Sequence, residues 1–471
     1  MSTILSAIVL LPLIASLLPF ICILCVALRW PKHHEKDDPK LPPGPRALPI
    51  IGNLHLLGFR PHQSLYHLAK EYGHIMFLRL GKVETVVVSS AQAAELFLKT
   101  HDTVFANRPQ ILASHYLSYG TKGMIFDDYS PYWRNVRKVC TLHLLSGSKV
   151  ESFAPTRKEE LNLLVETIKK AAEVQELVDV SEQVGDMNEN LICRMIFGKR
   201  RNDKFDLRSL IKESLDLVGA VNIADYVPFL GALDLQGLTR RMKAYRKDMD
   251  KVLEKIIDDH EQDDRWQTKE QKDFIDALLS LMNQTKNSNG DDPAYVIDRT
   301  CIKAIIQDII NGGRDRFAKA NLFGFGGERK LKATSTLPLI PRKCVEDITV
   351  NGYHIPKNSR ILVNAWAIGR DCNAWLDNAE EFFPERFKDT SIDLRGRHFQ
   401  LIPFGSGRRG CPGMLLGLTN VRLVVAQLVH CFNWELVFPY DLDMTEKYAL
   451  TTLRATHLSA VPTYRLPVKH P

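Results

Sequence analysis

The 471-residue chain contains no internal repeat, no low-complexity tract and no short stretch that is densely basic. Its formal net charge is only +7, and aromatic residues are not interleaved with Lys and Arg as they are in nucleic-acid-binding surfaces. These absences exclude a repeat protein and argue against nucleic acid as a partner. The mild basic excess instead fits a membrane surface or an acidic protein partner. The composition, 45% hydrophobic and 25% charged, is that of a globular protein with a large core.

Cysteine is scarce and scattered. The nine cysteines are odd in number and spread through the chain, so a disulfide framework is not expected and a reducing compartment is favoured. Cys22 and Cys25 form a C-x-x-C, but they lie in an apolar run, where packing explains them better than redox chemistry. No second Cys or His stands at zinc-ligand spacing around Cys411, which argues against a zinc site there.

Charged side chains are absent from residues 1–28. Residues 4–28 would form a helix of about 38 Å, which is enough to cross a bilayer with tilt. A cleaved signal peptide is the alternative, but the basic n-region is missing and the apolar core is long. Positive charge begins at Arg29, so the positive-inside rule places the rest of the chain in the cytosol. We therefore expect a membrane anchor over residues 1–30, a proline-rich hinge over residues 31–45 and one large domain over residues 46–471.

The patterns beyond the hinge predict a mainly helical domain with small β-sheets. Residues 75–80 and 83–88 have the composition of two strands joined by a short turn. Asn351-Gly352 predicts a second hairpin with a tight primed turn. Apolar residues at helical spacing from Met242 to Ile257, with charges between them, predict an amphipathic helix that contributes to the core.

The strongest chemical pattern is FGSGRRGCPG, residues 404–413, which precedes an apolar helical pattern. We expect Cys411 where that helix begins, with Pro412 in its first turn, because the positive helix end stabilises a thiolate. The glycines let the backbone turn tightly and approach a flat partner closely. A lone thiolate in such a loop suits an axial ligand to haem iron, to which it donates electron density that favours O–O cleavage.

This segment resembles the haem-binding signature F-x-x-G-x-R-x-C-x-G of the cytochrome P-450 superfamily, specifically of its plant microsomal branch. All of its fixed positions are matched, by Phe404, Gly407, Arg409, Cys411 and Gly413. A match at this many positions would almost never arise by chance. The resemblance implies a cytochrome P-450 fold behind the N-terminal membrane helix, with Cys411 as the axial ligand to the iron of haem b.

Other motifs extend the resemblance over most of the chain. Trp133 and Arg137 match W-x-x-x-R and are four residues apart, so they share one helix face. In the family these residues hydrogen-bond a haem propionate. The resemblance implies the same role for Arg409 and for Arg342, in PLIPR. Arginine suits this role because it gives directed, charge-assisted hydrogen bonds to anions.

The resemblance also implies a central helix that crosses the haem and carries an (A/G)-G-x-(D/E)-T motif. Gly312, Gly313 and Asp315 match it, and we expect these to be the catalytic residues, since glycine leaves room for dioxygen beside the iron. The threonine position holds Arg316. In the family that hydroxyl helps to deliver protons, a role that a permanently protonated arginine cannot take.

An E-x-x-R motif is missing before Arg342, where Ala333 and Thr336 stand at the Glu and Arg positions. The 25 residues from 316 to 340 are too few to finish the central helix and form its successors, so we interpret them as replacing a longer family segment. Arg386, in FFPERF, would then lack its usual partners in a buried ion-pair network. Breaking such a network costs roughly 3–5 kcal/mol.

The function implied by the resemblance is that of a monooxygenase at the endoplasmic reticulum membrane, with its catalytic domain in the cytosol. It would take electrons from a membrane NADPH–cytochrome reductase and insert one oxygen atom of O2 into an apolar small molecule, a plant specialised metabolite. A basic face with Arg134, Lys138 and Arg408 would suit an acidic reductase. Substrate walls are expected from residues 111–126, 337–340 and 451–453. Two alternatives stay open: a non-catalytic or unstable truncated variant, and a haem–thiolate isomerase or dehydratase of peroxides.

Overall fold

The computed structural model describes residues 40–120, 122–200, 206–262, 272–287, 297–322, 337–375, 379, 384–388, 390–436, 445–447 and 450–466. This part is mainly helical with small β-sheets, as the sequence predicts. The predicted membrane anchor, most of the hinge and residues 323–336 lie outside the described residues.

The described part contains fifteen α-helices, several of them only one turn long. They are α1 Pro61–Tyr72, α2 Ala91–Glu95, α3 Leu112–Leu117, α4 Pro131–Cys140, α5 Gly147–Ser152, α6 Ala154–Glu173, α7 Val180–Phe197, α8 Leu207–Gly219, α9 Ile223–Tyr226, α10 Leu238–Glu261, α11 Phe274–Asn287, α12 Arg299–Leu322, α13 Ala365–Ile368, α14 Cys372–Trp375 and α15 Met414–Cys431. Short 3-10 turns cover Leu54–Leu56, Pro228–Leu233, Pro384–Phe387 and Gly407–Arg409, and π-helical turns cover Leu96–Thr100 and Thr141–Leu145.

The largest sheet in the described part has four strands in the order β1-β2-β7-β4, of which only β2 and β7 run parallel. A second sheet has the order β3-β11-β8, and two further pairs are β5-β6 and β9-β10. The strands are β1 Ile75–Leu80, β2 Val83–Val88, β3 Val178–Asp179, β4 Leu339–Lys343, β5 Ile348–Val350, β6 Tyr353–Ile355, β7 Arg360–Asn364, β8 Phe432–Glu435, β9 Glu446–Lys447, β10 Leu453–Arg454 and β11 Ser459–Tyr464.

Both predicted hairpins are confirmed, because their turns are specified by local sequence. Strands β1 and β2 pair in antiparallel register from Ile75 with Val88 to Leu80 with Val83. In the β5-β6 hairpin, Asn351 and Gly352 both have positive φ, 51° and 77°, as a primed turn requires.

The helical core surrounds α12. Residues 301–310 of this helix are buried, and α12 packs against α7 on one side and α15 on another. The predicted amphipathic helix is confirmed as α10, whose stripe from Met242 to Ile257 is buried in the same core. The helical core and the four-stranded sheet together position the cavity described below.

Helix α15 is the one helix of the described part that is long and apolar enough to span a membrane, by length and composition alone. In this fold it is a core helix instead. Its inner face, with Leu416, Val424 and Leu428, is buried, and the helix packs against α6 and α12.

Candidate active site

A cavity of about 750 Å³ lies between the central helix α12 and the loop that carries Cys411. This volume is within the range of small-molecule sites in proteins. Its lining is mainly apolar and includes Ile111, Met124, Ile125, Phe126, Ile309, Leu337, Leu339, Ile340, Leu362, Leu416 and Leu450. Two of the expected substrate walls, residues 111–126 and 337–340, thus contribute to the lining. Residues 451–453, the third expected wall, are not among the lining residues of the described part, although the neighbouring Leu450 is.

The Cys411 loop is held by backbone contacts. The Cys411 N–H donates to the Phe404 carbonyl over 2.9 Å, and the Gly410 N–H donates to the Gly407 carbonyl over 2.9 Å. Gly407 has φ of 70°, and a Cβ there would stand 2.3 Å from the Leu98 carbonyl oxygen. Glycine is therefore required at this position for two reasons: the backbone conformation, and the close approach of the π-helical turn Leu96–Thr100 that follows α2.

The start of α15 differs from the expectation. The helix begins at Met414 with Gly413 as its N-cap residue, so Pro412 lies before the first turn and not within it. The reason is the hydrogen bond from Cys411 to Phe404, which holds the chain in the loop conformation past the cysteine. Cys411, Pro412 and Gly413 all line the cavity, and Cys411 is half-buried.

The ring system of Trp133 lies close to the guanidinium groups of two arginines. The guanidinium of Arg409 lies 4.1 Å from the centroid of its ring system, and that of Arg137 lies 5.3 Å away. The Trp133 indole N–H donates to the Met124 carbonyl over 2.9 Å. Trp133 and Arg137 are indeed on one face of α4, and both line the cavity.

Arg137 and Arg409 direct donors at backbone carbonyls of neighbouring loops. The Arg137 Nη2 donates to the Gly410 carbonyl over 2.7 Å, and the Arg409 Nε donates to the Ala106 carbonyl over 2.7 Å. Burial lowers the pKa of Arg409 to about 10 and also lowers the pKa of Arg137. Both side chains are thus fixed cations whose charge is incompletely solvated.

Arg342 is a buried arginine with few hydrogen-bond partners among the described residues. It is fully buried, and its Nη2 donates to the Ser406 carbonyl over 3.0 Å, while its Nε and Nη1 have no hydrogen-bond partner among the described residues. Burial, with the nearby charges of Arg409 and Arg137 adding to it, lowers the pKa of Arg342 to about 9. Arg137 and Arg409 line the cavity, whereas Arg342 is not among its lining residues and lies behind them, close enough for their charges to lower its pKa. Three neighbouring cations, one with two donors that have no partner among the described residues, suit the two carboxylates of a haem b propionate pair. Together with the Cys411 thiol and its glycine loop, the residues present fit haem.

The two glycines of the central helix differ in their surroundings. Both line the cavity, but a Cβ at Gly312 would meet no atom of the described residues within 4 Å, whereas one at Gly313 would stand 2.6 Å from Ile192 Cγ1 on α7. Gly312 therefore opens space, and Gly313 permits the close packing of α12 on α7. The side chains of Asp315 and Arg316 lie outside the described residues.

Asp308 and Arg108 also line the cavity, and sequence reasoning missed both. Asp308 is buried on α12, and its Oδ2 accepts hydrogen bonds from the backbone N–H groups of Met124 and Ile125, over 2.6 and 3.0 Å. The Arg108 Nε donates to the Ile125 carbonyl over 3.0 Å. A carboxylate within the apolar run of residues 305–310 was the available signal, since a buried charge needs a partner.

Arg386 lies in the short turn Pro384–Phe387 and is half-buried at the cavity wall. Its guanidinium is 5.4 Å from the centroid of the Trp375 ring system. Ala333 and Thr336, at the positions where the expected ion-pair partners are missing, lie outside the described residues.

Comparison with known proteins agrees with this geometry. The family model described as Cytochrome P450 matches residues 42–325 and 331–457. Cytochrome P450 CYP736A12 of Panax ginseng is 48% identical over 501 residues, which cover 95% of this chain and 99% of that protein. Desmethyl-deoxy-podophyllotoxin synthase of Sinopodophyllum hexandrum is 36% identical over 476 residues, covering 91% of this chain and 93% of that protein.

A solved zebrafish cytochrome P450 shares the fold. Its TM-score to this chain is 0.68 at 22% sequence identity, and the match covers 86% of this chain and 100% of that one. The family match extends over well more than half of the chain, and the plant relatives align over nearly all of it. The chain is therefore a member of the cytochrome P450 family, with the fold of that family, and by family it is a haem–thiolate monooxygenase of plant metabolism.

Proposed function

We propose that this chain holds haem b through the Cys411 sulfur and inserts one oxygen atom of O2 into an apolar small molecule, with electrons from an NADPH–cytochrome reductase. The observation that carries this proposal is that Cys411 shares one largely apolar cavity with Gly312 of the central helix. When bound, haem with a thiolate ligand supplies the activation of dioxygen. The protein residues hold the group, exclude water and orient the substrate.

In this proposal Arg342 takes part in binding the propionates, because two of its buried donors have no partner among the described residues. Arg137 and Arg409 add positive charge, and Trp133 fixes both of their guanidinium planes by stacking. Phe404, Gly407 and Gly413 shape the loop so that the Cys411 sulfur faces the cavity. The loop thereby sets the ligand's position without needing to move when haem binds.

Gly312 provides the space in which dioxygen would lie, since no atom is near the position of a Cβ there. Gly313 holds α12 against α7 and so fixes the distance across the cavity. We assign proton supply to Asp315, which the motif places one helical turn from Gly312. With arginine at 316 in place of a hydroxyl, we expect proton delivery to be slow and oxygen consumption to be poorly coupled to product.

We further propose that the chain is a single-pass protein of the endoplasmic reticulum membrane, anchored by residues 1–30 and facing the cytosol. Arg134, Lys138 and Arg408 are exposed around the Cys411 loop. This basic face supports docking of an acidic reductase, because complementary charge steers such encounters.

A non-catalytic variant of such an enzyme is the second candidate. The alignment to the ginseng protein runs over 501 residues, more than the 471 of this chain, which favours a missing internal segment. The family match is likewise interrupted between residues 325 and 331. Loss of the family's E-x-x-R motif with that segment would weaken haem retention.

The deciding test is the reduced carbon-monoxide difference spectrum of the full chain, with Cys411→Ala as the variant. Cys372→Ala is the matched control, because Cys372 is exposed on α14. We expect a Soret band typical of a thiolate-ligated ferrous–CO complex in the wild type and the control, and its absence in Cys411→Ala. Absence of the band in the wild type would favour the non-catalytic variant. Turnover of a hydroperoxide without reductase would instead indicate a peroxide isomerase or dehydratase.

A further inference from the structure

A second group of polar side chains lines the same cavity. It consists of Asn222, Asp225, Tyr226 and Arg360, which we call the mouth cluster. The first three come from α9 and the residue before it, and Arg360 begins β7. None of them belongs to a motif that the resemblance assigns to haem.

Arg360 is buried, with 7% of its surface exposed, and faces the cavity together with Leu362. Its Nη1 donates to the Tyr226 hydroxyl over 2.9 Å, and its guanidinium lies 5.0 Å from the Tyr226 ring centroid. Its Nε has no hydrogen-bond partner among the described residues, and its charge acts on the carboxyl group of Asp225. A buried cation that keeps an unpartnered donor is unfavourable unless a further acceptor joins it.

Asn222 adds a second donor. It is 5% exposed, its Oδ1 accepts a hydrogen bond from the Ala224 N–H over 3.0 Å, and its Nδ2 has no partner among the described residues. Asp225 accepts a hydrogen bond at Oδ1 from the Leu112 N–H over 2.8 Å, and it accepts none from Arg360 Nε or Asn222 Nδ2. Burial raises the pKa of Asp225, against the opposing charge of Arg360. The cluster thus contains two buried donors without a hydrogen-bond partner among the described residues.

We propose that the mouth cluster binds a carboxylate on the substrate, so that the substrate class is an apolar carboxylic acid. The acid group would accept hydrogen bonds from Arg360 Nε and Asn222 Nδ2, and the apolar body would lie toward Cys411. One arginine near one carboxyl residue suits a monoanion better than a phosphate, which would need more positive charge. This inference rests on the proposed function and deepens it.

Binding is measured by calorimetry on the haem-containing full chain, with dodecanoic acid and dehydroabietic acid, each compared with its methyl ester. The variants are Arg360→Met, which removes the charge at similar size, and Asn222→Asp, which keeps the capping oxygen and loses the donor. Lys343→Met is the control, because Lys343 pairs with Arg360 in register between β4 and β7 but is not part of the cluster. Thermal unfolding of each variant verifies that it folds.

At least one acid is expected to bind the wild type and the Lys343→Met control at least about tenfold more tightly than its ester. Arg360→Met and Asn222→Asp should lose that preference and bind the ester unchanged. The proposal is overturned if no acid binds more tightly than its ester to the wild type, or if both variants keep the preference. The carbon-monoxide spectrum is recorded on the same samples. An acid preference that depends on Arg360, in protein without the thiolate band, would support this inference while refuting the proposed catalysis.

Discussion

The two ends of the cavity both contain buried arginines, but they hold them differently. At the Cys411 end, Arg409 donates to backbone carbonyls and stacks on Trp133, and Arg137 stacks on the same ring. At the mouth cluster, Arg360 is held by a single tyrosine. Arg342 is the exception at the Cys411 end, since its one hydrogen bond goes to the Ser406 carbonyl. Groups fixed by several backbone contacts are preorganised for a permanent partner, whereas a cation held by one contact can adapt to a ligand that comes and goes. The contrast between Arg409 and Arg360 fits the haem end and the substrate end that we propose.

The largest effect is expected where the Cys411 end is most rigid, at Gly407. Gly407→Ala places a methyl group 2.3 Å from the Leu98 carbonyl oxygen at φ of 70°, so the free energy of unfolding should fall by about 3 kcal/mol. Gly410→Ala is the matched control, since φ there is −53° and its Cβ would lie 3.2 Å from the Gly407 oxygen. Urea unfolding of both variants measures the difference. If the free energy of unfolding fell equally little in both variants, the loop would be able to adapt to the added methyl group.

Arg342→Met tests how strongly the Cys411 end of the cavity retains haem. Removing the donors that remain unpartnered at the Cys411 end should speed haem transfer to apomyoglobin on the order of 10- to 100-fold. Arg342→Lys keeps the charge but loses the planar fork, so its rate should be intermediate. Arg395→Met, at an exposed arginine, serves as the control. An unchanged rate for Arg342→Met would place the propionates elsewhere.

The sequence alone singles out an arginine at the Cys411 end of the cavity, whereas only the structure reveals the arginine of the mouth cluster. The resemblance at PLIPR singles out Arg342 from the sequence, and its role in binding a propionate stays a prediction. Arg360 stands at the start of a short strand, where an arginine is usually exposed, and nothing nearby in sequence predicts its burial. It is buried because Tyr226, 134 residues earlier, packs over it. Such long-range contacts depend on how α9 docks on the sheet, which no periodicity records.

The same reasoning explains the other successes and failures. The turn at Asn351-Gly352 was predictable because two residues suffice to specify it. The start of α15 was predicted too early, because helix propensity at Pro412 is overridden by the loop hydrogen bond from Cys411 to Phe404. Asp308 was missed because its two hydrogen-bond donors come from a segment 183 or 184 residues earlier.

Glu446 on β9 tests how firmly α1 and α13 are held together, because His62 and Trp366 both hydrogen-bond its carboxylate. Burial alone would raise its pKa, but hydrogen bonds from His62 and Trp366 and the charge of Arg370 lower it to about 2. The folded-state pKa lies below the usual 4.5, so this stabilisation is complete above about pH 4.5 and is lost as the pH falls toward 2.

Glu446→Gln should therefore lower the free energy of unfolding at pH 7 by about 2 kcal/mol and flatten its dependence on pH between about 5 and 2. The measurement is urea unfolding across that pH range. Glu435→Gln, at an exposed glutamate on β8, is the control and should leave the profile intact. A Glu446→Gln profile as steep as that of the wild type would show that other carboxylates cause the acid sensitivity.

The smallest effect is expected from Tyr226→Phe. This variant tests whether the Tyr226 hydroxyl only holds Arg360 in place or also contacts the acid. The variant loses the hydroxyl that accepts from Arg360 Nη1 but keeps the ring 5.0 Å from the guanidinium. Because the hydroxyl only orients the cation, acid affinity should fall about threefold, with the ester unaffected. Tyr353→Phe, in the β5-β6 hairpin, is the control for loss of a tyrosine hydroxyl. Calorimetry with the acid and ester pairs measures both affinities. If acid affinity fell as far as it does in Arg360→Met, the acid would contact the hydroxyl and not the guanidinium.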